Sequence, residues 1–211
     1  MLAGLVYECR GSLSPLRNNG AESTLWWKLD SRLPGPDIQP VFIEFSLVSP
    51  ELAARLPHDQ CYTISPSVVR PSSRGSVRLA SSDPTASPII DVNFLSCDAD
   101  IRAMLAAVEL CHEIGASSSS SEFRAREIMP GPLGRSEMID FIRYAASTYF
   151  RPTSTCSIGH TRMSVVDHEL KVHGIENLRI ADASIMPTVT SGNTNAPSVM
   201  IGEKMAESVR A

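Results

Sequence analysis

Asn177-Leu-Arg-Ile-Ala-Asp-Ala-Ser-Ile-Met-Pro-Thr-Val-Thr-Ser-Gly-Asn-Thr-Asn-Ala-Pro-Ser-Val-Met-Ile-Gly-Glu-Lys204 is the stretch whose reading decides the fold. Leu178 to Ala181 is a short apolar run suited to a buried strand, Asp182 and Ser184 follow at a turn, and Gly192 to Asn195 form a polar loop. Asn195 is placed to cap a helix. Pro197 falls in the first turn, where a missing N–H costs little, and Val199, Met200 and Met205 carry the apolar spacing to the C-terminus. A strand, a polar loop and a helix N-terminus in this order bring backbone N–H groups and side-chain amides around one point, which suits an anion or a polar ligand.

Upstream, Val41-Phe-Ile-Glu-Phe-Ser-Leu-Val48 alternates as a strand, with Phe42 and Glu44 on one face and Ile43 and Phe45 on the other. Tyr62 to Val69 and Ser76 to Leu79 read as two more strands, joined through Pro71 to Gly75, where Gly75 is expected at a positive φ. Ile89 to Val92 is another extended segment. A helix then runs through Ile101, Leu105, Val108 and Ile114, capped by Ser96 or Asp98 and ended by Gly115 and the serine run 117–121, which reads as a solvated loop. A second helix spans roughly Ser136 to Ser147. Strands followed by helices, without a repeating βαβ unit, indicate an α+β fold. The sheet is expected to be mixed but mainly antiparallel, with helices covering one face.

The 211 residues, 43% hydrophobic and 20% charged, describe one globular domain able to bury a core. A formal charge of −4 with dispersed arginines offers no face for nucleic acid, so a small-molecule substrate is the expected partner. Five scattered cysteines lack CxxC spacing and suggest neither a disulfide framework nor a metal site. No run has the length of a membrane span, and the N-terminus lacks a secretory pattern, so a cytoplasmic protein is the default. Residues 1–36 are rich in turn formers and read as irregular, with one apolar island at Leu25-Trp26-Trp27. The tryptophans either pack the domain edge or wall a ligand pocket.

Val165-Val-Asp-His-Glu-Leu-Lys-Val-His-Gly-Ile-Glu-Asn-Leu-Arg-Ile-Ala-Asp-Ala-Ser-Ile-Met-Pro187 and Ser191-Gly-Asn-Thr-Asn-Ala-Pro197 resemble the C-terminal signature of the glucose-methanol-choline (GMC) flavin oxidoreductases. Arg70 to Pro84 and Pro88 to Leu95 are similar to the same family's entry into its substrate domain. The resemblance implies a substrate-binding domain whose segment 149–211 contacts flavin, with Asp182, Ser184 and Pro187 at flavin-contacting positions. It also implies an N-terminal dinucleotide-binding half that holds FAD, and these 211 residues contain no GxGxxG turn to serve as one. The chain is thus expected to be a naturally short protein or a fragment, and no cofactor is expected unless a separate flavin-binding half supplies FAD.

In the family the motif matching Tyr149-Phe-Arg-Pro-Thr-Ser-Thr-Cys156 carries His before the Pro, and the position matching Asn193 carries His or Asn. Here the first position is Arg151, which stays protonated and cannot act as a base. The candidate catalytic residues are therefore Arg151 and Asn193, with His160 as the nearest histidine. Trp26, Trp27, Phe150, Thr194 and Asn195 are candidate substrate contacts. Of the remaining histidines, His168 and His173 flank the Glu169-Leu-Lys-Val turn at the surface, and His58 and His112, in a loop and on a helix, have no acidic or cysteine partner at ligand spacing. An arginine beside an amide suits oxyanion stabilisation, which points first to flavin-independent chemistry such as cyclisation, isomerisation or dehydration of a small hydrophobic metabolite. The alternatives are the substrate-binding half of an FAD-dependent alcohol oxidoreductase, or a small-molecule binding protein without catalysis. A homodimer or a flavin-domain partner is expected to cover the face that flavin would occupy.

Overall fold

A computed structural model of the chain describes residues 4–9, 20–21, 23–56 and 61–210. The chain forms two compact units, Met1–Ser73 with Phe94–Tyr149, and Arg74–Asn93 with Phe150–Ala211.

The first unit is built on a five-stranded sheet with the order β2-β3-β4-β1-β7, where β1 is Leu5–Cys9, β2 Ser23–Thr24, β3 Val41–Ile43, β4 Cys61–Ser65 and β7 Arg124–Met129. Every pairing is antiparallel. Alternation sorts the strands' side chains between two faces. Leu5, Tyr7, Tyr62 and Ile64 pack under helix α2 (Asp98–Ala116) and helix α3 (Arg135–Ala145), against Ile101, Met104, Val108, Cys111, Met138 and Ile142. Val6 and Cys61 point the other way, into a smaller cluster with Met129 and with Leu52 of the short helix α1 (Pro50–Ala53). Each such side chain removed from water contributes about 1.5–3 kcal/mol, so the α2 face dominates the unit's stability.

Several boundaries differ from the sequence reading, each for a local reason. Residues 1–36 are not irregular throughout, because Leu5–Cys9 is a buried strand between β4 and β7. The strand expected over Val41–Val48 stops at Ile43, where the chain bends. Thr63 then holds the departing segment, its hydroxyl accepting from Leu47 N and donating to Phe45 O, both at 2.8 Å. Helix α2 has Cys97 at its N-cap with no side-chain cap bond. Asp100, 2% exposed, instead accepts from Ser72 N at 2.7 Å and Ser73 N at 2.8 Å, tying the chain after β4 to the helix. Gly115 lies inside α2 rather than ending it, and Arg124 of β7 donates to the Gly115 carbonyl. The serine run closes into a 3-10 turn over Ser118–Ser120.

The second unit contains a two-stranded antiparallel ribbon, β5 (Ser76–Arg78) with β6 (Ile89–Asp91). Gly75 does not take a positive φ. It is glycine because an added Cβ would collide with the Asp91 carbonyl and stand 3.0 Å from the Val92 carbonyl. Residues 150–210 wind mostly as turns around Val166, Ile185, Met186 and Ile201. Leu178–Ala181 is not a buried strand: it makes an isolated bridge, Lys171 with Arg179, and Leu178 is exposed. Helix α4 (Asn195–Arg210) closes the chain. Among the described residues no helix is long and apolar enough to cross a membrane.

Candidate functional site

The second unit gathers the C-terminal candidates on two segments that hydrogen bond to each other. The Asp182 side chain accepts from Ser184 N at 2.7 Å and so caps a 3-10 turn over Ala183–Ile185. The carbonyls of that turn face the motif segment: Cys156 N donates to Ser184 O at 2.9 Å, Ile158 N to Ile185 O at 2.8 Å, and Ser154 N to Ala183 O at 3.4 Å. Hydrogen bonds from the Ser184 hydroxyl and N–H hold the Asp182 carboxyl below the ordinary carboxylate range. Asp182 and Pro187 are exposed and Ser184 is half-buried.

Arg151 sits just ahead of this stapled stretch and is half-buried. Two non-glycine residues flank it in the left-handed region, Phe150 at φ 54° and Ser154 at φ 71°. Such conformations cost of order 1–3 kcal/mol each and persist only where the surrounding structure fixes them. Phe150 is also 83% exposed.

At the other end of the turn the chain runs through Thr190 to helix α4. Asn195 is the first residue of α4 rather than its cap. The Thr194 carbonyl takes the capping position, accepting from Ser198 N at 3.0 Å and from the Ser198 hydroxyl at 2.6 Å. Thr194 is buried, while Asn193 and Asn195 are exposed. The Thr190 hydroxyl is buried without a protein partner.

The histidines divide differently from the sequence reading. His160 is exposed, and in its loop His173 makes the hydrogen bond, Nε2 to Gly159 O at 3.0 Å. His112 does have an acidic partner, Glu127, at 3.1 Å across α2 and β7. His168 is exposed, and His58 lies outside the described residues. All five cysteines are free, and among the described residues no three metal-ligating side chains converge.

Trp26 and Trp27 belong to the first unit, where Leu25 N bonds Pro40 O at 3.0 Å and Trp27 N bonds Ile38 O at 3.1 Å in an irregular continuation of β2. Both rings are about half exposed, at 46% and 50%. A cavity of about 400 Å³ opens in the same unit, and neither tryptophan lines it. Its walls are Phe42, Tyr62, Ile64, Ile114 and Phe123 together with the serine turn, none of which was a candidate from the sequence. The signal was present in Ile114 and Phe123, which bracket the serines, but a run of five serines masked it.

The Thr190 hydroxyl, buried without a protein partner, and the N–H groups opening α4 are donors of the kind the carbonyl edge of an isoalloxazine ring accepts from. The adenine and pyrophosphate find no Gly-rich cradle in the 211 residues.

A family model described as GMC oxidoreductase matches residues 71–202. The oxygen-dependent choline dehydrogenase of Klebsiella pneumoniae is 44% identical over 153 residues, covering 72% of this chain and 27% of that protein. The crystal structure of pyridoxine 4-oxidase from Mesorbium loti superposes with a TM-score of 0.92 at 31% identity, over 98% of this chain and 41% of the other. Formate oxidase of Aspergillus oryzae, described with an FAD modification, shares the fold at TM-score 0.79 and 22% identity, over 98% of this chain and 45% of that one. The chain thus spans about a quarter of the length of the curated relatives it matches. With the signature of residues 165–197 matched and the same fold found at high similarity, the chain belongs to the GMC oxidoreductase family, in its C-terminal part.

Proposed function

We propose that this chain supplies the substrate side of an FAD-dependent oxidation of a small hydroxyl compound, acting against a dinucleotide-binding unit. The observation that carries the reading is the stapling of the Arg151 segment to the Asp182 turn that leads into α4. It gathers one polar edge suited to the reactive ring of a flavin and leaves the rest of the cofactor to other protein. FAD, when bound, accepts the hydride leaving the carbinol carbon. Arg151 cannot take the hydroxyl proton, so its part is to hold an oxyanion, either the developing alkoxide or a carboxylate on the substrate. Asn193 orients the substrate oxygen, Asn195 offers a second amide, and Phe150 a ring over the substrate. Thr194 serves the start of α4. His160, exposed in this segment, is the proposed acceptor of the hydroxyl proton. Trp26 and Trp27 remain candidate contacts for substrate or partner.

An exposed apolar ribbon supports the need for a second surface. Val77 and Ile90 pair across β5 and β6, and Leu79 and Val92 follow just beyond the strand ends. They are 52%, 64%, 86% and 53% exposed. A two-stranded ribbon with such exposed side chains is marginal in water unless something covers it. A flavin-binding unit is the proposed cover, and a second copy of this chain is the other outcome.

The second reading is flavin-independent cyclisation, isomerisation or dehydration, favoured by Arg151 in place of the family's histidine. The family relatives lend it no support, so it now stands behind the oxidation. Co-expression with the N-terminal half of a choline dehydrogenase relative separates the two. The first reading expects a colourless chain alone, a yellow complex with the partner, and flavin bleaching on addition of an alcohol substrate. Turnover by the colourless chain, with no complex formed, would reject it in favour of the second.

A further inference from the structure

We infer that the cavity between β3, β4 and the C-terminal end of α2 binds a small, uncharged aromatic molecule carrying one hydrogen-bond acceptor. The inference rests on the first unit alone and uses none of the residues assigned to flavin chemistry. The cavity, about 400 Å³, falls within the range of small-molecule sites and would hold a single substituted ring.

Its walls set the ligand's character. Phe42, Tyr62 and Phe123 contribute rings, and Ile64 and Ile114 contribute aliphatic surface. Among the described residues no charged side chain lines it, so an ionic ligand would lose its hydration without gaining a counter-charge from them. Aromatic walls favour a ligand ring in offset or edge contact. The walls are also held in place: Tyr62 stacks on Tyr7 with centroids 5.2 Å apart and planes 15° apart, and Phe42 leans on Tyr62 at the same separation. A site already formed costs little ordering on binding.

Among the described wall residues one buried polar group is left over. The Tyr62 hydroxyl is buried without a protein partner, in a residue 2% exposed. Burial pushes its ionisation up to about 12, so it remains a donor throughout ordinary pH. The serine turn does not supply the missing acceptor. Ser117 and Ser120 hydroxyls bond each other at 2.8 Å, and Ser120 donates onward to Ile114 O at 3.0 Å. A carbonyl or ether oxygen at the inner end of a ligand would satisfy the tyrosine, which is what makes the acceptor part of the inference.

The test uses the full chain with isoleucine methyl groups labelled for NMR, and two probes, acetophenone and ethylbenzene, which differ in the acceptor. Saturable shifts of the Ile64 and Ile114 methyls are expected with both. Tyr62→Phe should lower the affinity for acetophenone relative to ethylbenzene by roughly five- to tenfold, the worth of one net hydrogen bond. Ile114→Trp, which fills the cavity from a half-exposed position, should abolish both without lowering the thermal midpoint. Absence of saturable shifts at millimolar probe, shifts mapping elsewhere, or an affinity ratio unchanged in Tyr62→Phe would each overturn the inference.

Discussion

Gly115→Ala sets two opposed effects against each other at one atom. In the interior of a helix, alanine is better than glycine by about 0.8–1 kcal/mol. Gly115 is buried in the last turn of α2, however, and its backbone lies directly on Tyr7 of the central strand. An ideal Cβ would stand 2.6 Å from Tyr7 Cζ, 3.1 Å from Cε1, and closer still to the hydroxyl. Tyr7 is 2% exposed and stacked on Tyr62, so the ring has nowhere to retreat without moving the β1–β4 pair. Overpacking of this kind costs about 1–3 kcal/mol, and a contact this close to a fixed ring belongs toward the upper end. The helical gain is smaller so near the helix end, which leaves a net destabilisation of about 1–2 kcal/mol. Urea unfolding followed by near-ultraviolet circular dichroism measures it, because the tyrosine stack is the reporter. Tyr7→Phe removes a buried hydroxyl that has no protein partner and is expected to be neutral or stabilising. In that background Gly115→Ala should cost somewhat less, since the hydroxyl is gone, while the Cζ contact at 2.6 Å remains and keeps most of the penalty. A Gly115→Ala protein as stable as wild type, or a double-mutant cycle showing no coupling, would refute the packing argument.

Asp100→Ala should cost about 2–3 kcal/mol, because two backbone donors, Ser72 N and Ser73 N, lose a charged acceptor; Asp100→Asn, which keeps one oxygen, should cost less, and urea midpoints decide. Burial holds Tyr62 neutral up to about 12 and raises Tyr7 further, so the folded state binds these protons more tightly than the unfolded chain does. Their stabilisation is complete below the ordinary tyrosine range and is lost as pH rises through about 12, with delayed phenolate absorbance at 295 nm as the check. Asp182 has the opposite sign: its ionisation is depressed by Ser184, so its contribution is present above the ordinary carboxylate range and lost as pH falls through the depressed value. Asp182→Ala should speed amide exchange at Ser184, and unchanged exchange would show that the cap is dispensable. In the reconstituted complex, Arg151→Ala should lower turnover about a hundred- to a thousand-fold if the guanidinium stabilises an oxyanion, whereas unchanged kinetics would make the charge structural.

How much of this was legible in the sequence depended on how local each determinant is. Helices α2 and α3 were readable because Ile101, Leu105 and Val108, or Met138 and Ile142, repeat at the helical period whatever lies around them. The antiparallel character was readable from alternating segments such as Val41–Ile43. Strand β1 was not, since Leu5–Cys9 stands beside turn-forming residues and earns its place only by pairing with β4 and β7, both far along the chain. For the same reason Tyr62–Val69 and Ser76–Leu79 looked like one hairpin, yet β4 pairs with β1 and β3, while β5 pairs with β6. Gly75 and Gly115 show the limit sharply. Each was assigned a backbone role, and each is glycine because another segment's atoms, the Asp91 carbonyl or the Tyr7 ring, occupy the space of a side chain.

The candidate site follows the same division. The order of polar loop and helix from Gly192 onward is local and was read directly, which is why the family signature there is compact. What joins that signature to Arg151 is a set of backbone bonds from Ser154, Cys156 and Ile158 to residues 183–185, and no residue type in either segment announces them. On the proposed reading Arg151 stands where the family carries histidine, a fixed cation in place of a proton acceptor, on a segment held by backbone bonds from Ser154, Cys156 and Ile158. A substitution of this kind can change the chemistry without disturbing the fold. Histidine restored at position 151 in the reconstituted complex is then the direct comparison: a gain in alcohol oxidation with an unchanged unfolding midpoint would assign the difference to proton transfer, and a loss of stability would assign Arg151 to the scaffold.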